Sequence, residues 1–276
     1  MGKKFLFFDI DGTLVNFDGV LPESAKRALL AVRESGNQIF LCTGRSKCQI
    51  ESRLWDFGFD GIVAAAGAYV EYEGRILNSR HMSGAQVARL IHFFENQQAV
   101  YMIQCTDKIV TTRRCADAMR EQFLRERPGD EERVKKILAN QVVDEAILDH
   151  LSCYLNVEKL CYHSANIPLA EVKRALVPDF GVTAMSYDRM DAGGEIGIAG
   201  VTKASGMQVL MDAVGVTRED IIAFGDGPND FEMLDFAGTG VAMGNASEDL
   251  KRHADMVTTH INEEGIYQGL LKLGLL

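Results

Sequence analysis

The sequence lacks the features of a zinc, secreted or membrane protein. Its six cysteines form no CxxC pair, so the spacing typical of a zinc site is absent and we expect reduced thiols, mostly in the core. No apolar run reaches the length of a membrane span. The start of the chain has neither the length nor the cleavage site of a signal peptide. We therefore expect a cytoplasmic protein without a membrane partner.

Positive charge is also scarce. Lysine and arginine number 29 against 39 aspartates and glutamates, a net charge of −10. A nucleic-acid-binding surface would normally be basic, so we expect no nucleic-acid partner. The composition, 47% hydrophobic and 25% charged, is that of a globular protein. A chain of 276 residues predicts about two domains.

Buried strands alternate with helices at both ends of the chain. The apolar runs typical of strands buried on both faces are Lys4–Phe8, Ile39–Cys42, Ile62–Ala66, Ile221–Phe224 and Gly240–Met243. Helices are predicted from Pro22 to a stop at Gly36, after Ser46, and over Lys203–Val214 and Asp230–Phe236. This alternation predicts an α/β fold with a doubly wound, mostly parallel, Rossmann-like sheet.

The middle of the chain has a different pattern, with mixed strands and charged helices. A hairpin over Tyr69–Tyr72 and Arg75–Leu77 leads into it. Its predicted strands are Tyr101–Cys105, Ile109–Thr112, 160–162 and Val182–Tyr187, and its helices include Arg113–Arg127. We therefore predict a core domain of residues 1–81 and 188–276, with an α+β domain of residues 82–187 inserted into it.

Carboxylates follow two of the buried strands. Side chains alternate in a strand, so Asp9 and Asp11 share one side while Ile10 faces the core. Thr43 and Asp226 follow two other strands, and ligands of parallel sheets bind at such strand ends. If the strands are neighbours, the carboxylates meet and repel one another unless they are neutralised. Oxygen ligands without histidine or cysteine favour Mg²⁺.

Lys203 adds positive charge at the start of a helix, where an anion is attracted. Each feature alone has an ordinary explanation, since Asp-Gly is a common turn and a single lysine usually lies on the surface. Their joint position after buried strands and at a helix start favours a site. Mg²⁺, a lysine, a threonine hydroxyl and carboxylates together suit a phosphoryl group.

Four motifs give the chain a family resemblance. "DIDGTL", "TGR", the lysine of "GVTKASGM" and "GDGPND" occur in the order seen in phosphatases of the haloacid-dehalogenase superfamily. The tail "GVAMGNASEDLKRHADMVTTHINEEG" is similar to the Cof-type branch, which carries an α/β cap domain between the second and third motifs. The resemblance covers the core and implies a cap that closes over the site and selects the substrate.

The resemblance implies roles for individual aspartates. Asp9 would attack phosphorus and form an aspartyl-phosphate. Asp11 would protonate the leaving alcohol and then activate water. The carboxylates of Asp9 and Asp226 and the backbone carbonyl of Asp11 would hold magnesium, with Asp230 supporting the metal shell or Lys203.

The resemblance also implies phosphate contacts. Thr43, Gly44, Lys203 and Asn229 would bind the phosphoryl oxygens, and Arg45 would either reach an anionic substrate or pack on the cap. The chain departs from the family at Ala66-Gly67-Ala68, where many Cof-type members have Asn-Gly-Ala. A polar contact of that asparagine is therefore not expected in this chain.

Three functions remain open on these residues. The first is an Mg²⁺-dependent phosphatase for small phosphate monoesters, such as sugar phosphates or related metabolites, in a monomer or small homo-oligomer. The second is a sugar phosphomutase, in which cationic cap residues, for example within Arg113–Lys136, would bind a second phosphate; that run is otherwise a solvated helix face. The third is a non-catalytic binder of phosphorylated metabolites, which the Asp9 and Asp11 pair disfavours.

Overall fold

The chain folds into two compact units in a computed structural model, which describes residues 2–16, 18–126, 129, 131–164, 166–185 and 193–276. The first unit consists of Met1–Gly44, Ser52–Ser79 and Val201–Leu276. The second consists of Arg45–Glu51 and Arg80–Gly200. Elements are numbered along the whole chain, and each unit is described by itself.

The first unit is built on an eight-stranded sheet. Its strands are β1 (Phe5–Phe8), β2 (Gln38–Cys42), β3 (Gly61–Ala64), β4 (Tyr69–Tyr72), β5 (Arg75–Ser79), β12 (Ile221–Gly225), β13 (Thr239–Ala242) and β14 (Met256–Val257). Its helices are α1 (Glu23–Glu34), α2 (Ser52–Asp56), α7 (Lys203–Val214), α8 (Phe231–Phe236), α9 (Glu248–His253) and α10 (Gly265–Lys272). The strand order is β14-β13-β12-β1-β2-β3-β4-β5.

Six of these strands run parallel, and β4 and β5 form an antiparallel hairpin at one edge. The predicted doubly wound α/β core is confirmed. Its aromatic centre forms where apolar strand residues meet, with the Phe7 and Phe40 rings stacked 4.8 Å apart. Methionines of α7, including the fully buried Met207, pack against the same side.

The second unit has a six-stranded sheet in the order β10-β11-β9-β6-β7-β8. Its strands are β6 (Val100–Cys105), β7 (Ile109–Thr111), β8 (Gln141–Val143), β9 (Val157–His163), β10 (Phe180–Ala184) and β11 (Gly193–Ile198). Its helices are α3 (Gly84–Asn96), α4 (Arg113–Glu126), α5 (Glu131–Ile137) and α6 (Leu169–Leu176). Phe94 of α3 stacks on Tyr162 of β9 with ring centroids 4.7 Å apart, which anchors the helices to one sheet face.

The division into units differs from the predicted boundaries in three places. Arg80 and His81, predicted to end the first segment of the core, belong to the second unit. Strand β11, which the sequence pattern did not indicate, pairs with β9 and β10 and therefore groups with the second unit, whereas residues 188–276 were assigned to the core. Residues 45–51 also group with the second unit, since the Cys48 N–H donates to the carbonyl of Thr106 at 3.1 Å. The predicted end of a strand at Tyr187 lies outside the described residues.

Several predicted elements end or begin differently; the strand predicted at 160–162, for example, is β9 over Val157–His163. Strand β3 ends at Ala64, two residues early, because Ala65 and Ala66 adopt left-handed φ values of 48° and 54°. The helix predicted after Ser46 is a short 3₁₀ turn over Lys47–Gln49, and α2 begins at Ser52. In the part of the chain that is described, no helix combines the length and apolar character needed to cross a membrane.

Candidate active site

The central strands of the first sheet bring the predicted site residues together. Strand β1 lies between β12 and β2, with Phe8 paired to Phe224 and to Leu41. Because these three strands are parallel and in register, the residues that follow them lie at one sheet edge. Asp9, Thr43 and Asp226 follow these strands, and all three are buried.

The turn after β1 is shaped by its glycine. Gly12 has φ +91°, and a Cβ placed there would lie 2.1 Å from Oδ2 of Asp226. A glycine is therefore required for both the turn and the close approach. The next residue holds the same carboxylate, since the Thr13 hydroxyl donates to Oδ1 of Asp226 at 2.7 Å.

Lys203 joins two carboxylates inside the site. Its Nζ donates to Oδ1 of Asp9 at 2.7 Å and to Oδ1 of Asp230 at 2.5 Å. The lysine side chain is fully buried because it is the first residue of α7, which packs on the sheet. Thr202 caps this helix by accepting the Ser205 N–H at 3.2 Å. The lysine predicted to attract an anion thus already binds the acidic cluster.

Asp230 uses both of its oxygens. Oδ1 accepts from Lys203, and Oδ2 accepts the backbone N–H groups of Asp226 and Gly227 at 2.9 and 2.8 Å. The carboxylate therefore shapes the loop after β12 and holds the lysine at the same time. These contacts match the predicted role of supporting Lys203, and the role of supporting the metal shell stays a prediction.

The site carries more negative than positive charge. Burial, opposed by Lys203 and reinforced by Asp230 and Asp11, raises the pKa of Asp9 to about 7. Burial and the charges of Asp9 and Asp230 also raise the pKa of Asp226 well above its usual value. For Lys203, burial lowers the pKa, but Asp230 and Asp9 outweigh it, so the net shift is upward. One ammonium thus faces three buried carboxylates, an arrangement that a further cation would stabilise.

The donor set fits a hard divalent ion. Asp9, Asp226 and Asp230 each offer a carboxylate oxygen, and these three oxygens lie within 4.8 Å of one another. Among the described residues, the Asp226 carboxylate accepts hydrogen bonds from two neutral groups, the hydroxyl of Thr13 and the amide of Asn245. Oxygen ligands of this kind suit Mg²⁺. The residues present therefore fit the predicted magnesium ion.

The remaining predicted residues of the first unit differ in how far they are buried. Asp11 is exposed, yet close enough for its charge to raise the pKa of Asp9. Thr43 and Gly44 are buried after β2, where the Thr43 N–H donates to the carbonyl of Val63 at 2.8 Å. Asn229 is half-buried in the loop after β12.

Arg45 belongs to the second unit. Its Nη1 donates to the carbonyl of Gln49 at 3.2 Å and lies 4.0 Å from Oε1 of Glu51. The structure of each unit by itself does not bring this guanidinium to the acidic cluster. These contacts lie within the second unit, and both predicted roles of Arg45 stay predictions.

Sequence reasoning missed two residues that organise the site. One is Thr13, described above. The other is Asn245, whose Nδ2 donates to the carbonyl of Gly12 at 2.8 Å and to Oδ2 of Asp226 at 3.2 Å, while its Oδ1 accepts the Ile261 N–H at 3.1 Å. Asn245 follows β13, so the signal that identified Asp226, a polar residue after a buried strand, was also present here.

Known proteins have similar sequences and a similar fold. The sequence profile of haloacid dehalogenase-like hydrolases matches residues 6–270. YkrA of Bacillus subtilis is 26% identical over the whole of both chains. The 5-amino-6-(5-phospho-D-ribitylamino)uracil phosphatase YwtE of the same organism is 25% identical over 95% of each chain. The solved structure of the subclass IIB sugar phosphatase BT4131 is 30% identical, superposes with a TM-score of 0.81, and covers 99% of this chain and 100% of its own.

Proposed function

The chain belongs to the haloacid dehalogenase-like hydrolases and is a phosphoric monoester hydrolase, and from this premise we propose that it is an Mg²⁺-dependent phosphatase that forms an aspartyl-phosphate. The observation that carries the proposal is the buried cluster of Asp9, Asp226 and Asp230, which follow neighbouring parallel strands, with Lys203 at the start of α7.

Asp9 is the proposed nucleophile. Lys203 binds its Oδ1 at 2.7 Å, so we assign the attack on phosphorus to Oδ2. A bond forms between Oδ2 and phosphorus while the bond from phosphorus to the ester oxygen breaks. Lys203 keeps the aspartate oriented and offers positive charge beside the phosphoryl oxygens.

Asp11 is the proposed acid and base. Its carboxyl gives a proton to the departing alkoxide, so that the alcohol leaves neutral. The resulting carboxylate then takes a proton from water, which attacks the aspartyl-phosphate and releases inorganic phosphate and free Asp9. Its exposed position near Asp9 is consistent with contact to both the leaving group and water.

Asp9 and Asp226, with the backbone carbonyl of Asp11, would hold magnesium. Bound Mg²⁺ supplies charge neutralisation that lets a carboxylate approach an anionic ester. Thr13 and Asn245 orient the Asp226 carboxylate toward this task through the hydrogen bonds given above. Thr43, Gly44 and Asn229 remain the proposed phosphate contacts.

Small phosphorylated polyols are the proposed substrate class. One relative is named as a sugar phosphatase and another as a phosphatase of a phosphoribityl compound. In both kinds of substrate, the phosphate is attached to a polyhydroxylated carbon chain. Within the run proposed for a second phosphate, Arg114 pairs with Glu95 at 3.2 Å and Lys135 with Glu132 at 2.9 Å. These exposed pairs give the mutase alternative no support, and Arg127 lies outside the described residues.

Hydrolysis of p-nitrophenyl phosphate tests the proposal. We expect phosphate release with Mg²⁺, loss with EDTA, and recovery when Mg²⁺ is restored. Asp9→Asn should reduce kcat by at least about 1000-fold, since an amide is a poor nucleophile. The matched control is Asp212→Asn, an exposed aspartate of α7, which should retain wild-type activity.

Three outcomes would count against this function. Activity that survives Asp9→Asn would remove that residue as nucleophile, and activity in EDTA would remove the metal. Interconversion of hexose monophosphates in the presence of the bisphosphate, without release of inorganic phosphate, would favour the mutase.

A further inference from the structure

The tail that resembles the Cof-type branch ends in a turn that the proposed chemistry does not use. The tail runs from Gly240 to Gly265. Its last part contains a short 3₁₀ turn over Ile261–Glu263, here called the C-terminal turn. This turn belongs to the first unit, and its hydrogen bonds connect it to the loops around the acidic cluster.

Asn245 connects the C-terminal turn to two of these loops. Its Nδ2 donates to the carbonyl of Gly12 and to Oδ2 of Asp226, while its Oδ1 accepts the Ile261 N–H at 3.1 Å. A flipped amide would turn its oxygen toward two acceptors and its N–H groups toward a donor. The Ile261 N–H therefore helps to fix the orientation in which Asn245 binds the site.

The two acceptors that share the Asn245 amide would otherwise repel each other. The Gly12 carbonyl is partially negative, and the Asp226 carboxylate carries a full charge. Donation to both oxygens offsets this repulsion and holds the turn after β1 against the loop after β12. These two loops carry the proposed magnesium ligands, with Asp9 and the Asp11 carbonyl on one and Asp226 on the other.

A second contact holds the far end of the turn after β1. Nδ2 of Asn16 donates to Oδ1 of Asn262 in the C-terminal turn at 3.1 Å. Oδ1 of Asn16 accepts the N–H groups of Asp18 and Val20 at 3.1 and 2.9 Å, which orients this amide as well. The C-terminal turn thus holds the turn after β1 at both ends, directly through Asn262 and indirectly through Asn245.

The C-terminal turn is itself anchored to the sheet. The Thr258 N–H donates to the carbonyl of Ala242 in β13, and the Gly244 N–H donates to the carbonyl of Thr259, both at 3.0 Å. A Cβ placed at Gly244 would lie 2.4 Å from the backbone nitrogen of His260, so a glycine permits this close approach. The turn therefore has a fixed position relative to Asn245.

We propose that Asn245 and the C-terminal turn are positioning elements of the magnesium site, which hold the turn after β1 and the Asp226 carboxylate at the spacing that the ion requires. Groups that orient metal ligands change metal affinity about 10- to 100-fold when they are removed, because the ligands must then be ordered as the ion binds. The inference rests on the proposed function in one respect, namely that Mg²⁺ binds Asp9 and Asp226.

Calorimetric titration of the full chain with Mg²⁺, in the absence of any ester, tests the inference. Asn245→Ala removes all three contacts of the amide. Asn262→Ala removes the bond to Asn16 from an exposed position of the C-terminal turn. Because Asn262 is exposed, its variant tests the turn even if Asn245→Ala fails to fold.

The matched control is Asn37→Ala. Asn37 also joins backbone groups of the first unit, since its Oδ1 accepts the Lys4 N–H at 2.9 Å and its Nδ2 donates to the carbonyl of Val32 at 3.1 Å. It precedes β2, whereas Thr43 follows β2, so it lies at the opposite end of the strands from the acidic cluster. Asn37→Ala should therefore lower Tm and keep the wild-type Kd for Mg²⁺.

We expect the Kd for Mg²⁺ to be about 10- to 100-fold weaker in Asn245→Ala and about threefold weaker in Asn262→Ala, since one exposed hydrogen bond contributes less. At saturating Mg²⁺, Asn245→Ala should hydrolyse p-nitrophenyl phosphate with a kcat within about threefold of the wild type, because bound metal restores the ligand spacing. A merely structural role would lower Tm and leave the Kd unchanged, and that result would overturn the proposal. A wild-type Kd in Asn262→Ala would overturn the role of the turn.

The same titration separates this inference from the proposed function. Weaker Mg²⁺ binding in Asn245→Ala supports the inference even if no ester is hydrolysed. Hydrolysis that depends on Mg²⁺, with equal Kd values in the wild type and in Asn245→Ala, leaves the phosphatase intact and overturns the inference. A wild-type chain that binds no Mg²⁺ would overturn both.

Discussion

Asp230 illustrates how much of this site depends on single atoms. Its Oδ1 binds Lys203 and its Oδ2 binds two backbone N–H groups of the Asp226 loop, so one carboxylate couples the loop to α7. Asp226 is instead held by neutral donors, Thr13 and Asn245. Asp226 and Asp230, which belong to the same short motif "GDGPND", therefore have different partners. The contacts of Asp230 suit a structural anchor, and those of Asp226 suit a metal ligand.

Ala65 and Ala66, in the same region, both have left-handed φ values. Ala66 adopts φ 54° and ψ 34°, a left-handed conformation that a Cβ disfavours by about 1–2 kcal/mol. Its N–H donates to the carbonyl of Thr43 at 3.0 Å, so the turn supports the backbone beside the proposed phosphate site. Asparagine tolerates this conformation better than alanine, which gives a conformational reason for the family's usual residue here.

Ala66→Gly should therefore raise the free energy of unfolding by about 1 kcal/mol, because the relieved strain exceeds the added entropy of the unfolded chain. Urea denaturation measures the change. The control is Ala31→Gly within α1, where glycine should lower stability by about 1 kcal/mol. A loss of similar size at both positions would contradict the argument from backbone strain.

At the scale of elements, α7 connects the site to the core. The helix begins at Lys203 and contains Gly206, where a Cβ would lie 2.5 Å from Cγ1 of Val63 and 2.9 Å from the Cα of Gly67. Glycine here allows the helix to approach β3 and the left-handed turn closely. Since Lys203 lies one turn away on the same helix, its position depends on this approach.

Gly206→Ala should lower the free energy of unfolding by about 2 kcal/mol, because overpacking outweighs the better helix propensity of alanine. It should also reduce kcat, since a displaced helix moves Lys203 away from Asp9. Gly84→Ala on α3 is the control, because its Cβ would meet only Leu151 at 3.9 Å and should leave stability unchanged or slightly higher. Equal effects of the two substitutions on unfolding would argue against close packing as the cause.

At the scale of the whole molecule, the unbalanced charge of the site should appear as a ligand-dependent stability. We expect Mg²⁺ at about 100 times its Kd to stabilise the folded chain by about 2.7 kcal/mol, a shift of several degrees in Tm. EDTA should reverse the shift in a thermal unfolding experiment.

Asp226→Asn should lose most of this Mg²⁺-dependent shift, because it removes a charged ligand while keeping the size of the side chain. Asp212→Asn, exposed on α7, should retain the shift in full. A shift of the same size in both variants would mean that magnesium binds elsewhere.

Much of the first unit could be predicted from the sequence because local signals agree there. The runs that became β1, β2 and β12 are apolar on both faces, and the polar residues that follow them stand out in contrast. In the second unit β11 was missed, because Gly193, Gly194 and Gly197 give it little strand propensity and only pairing with β9 and β10 makes it a strand.

The amino-acid sequence by itself determined the doubly wound core, the order of the motifs and the candidate site residues, because buried strands and the side chains that follow them are local patterns. Tertiary structure decided which partner each side chain has. That Lys203 binds Asp9 and Asp230 and that Asn245 binds Asp226 both depend on strand order and register. Those relations join residues far apart along the chain, and no local pattern encodes such distances.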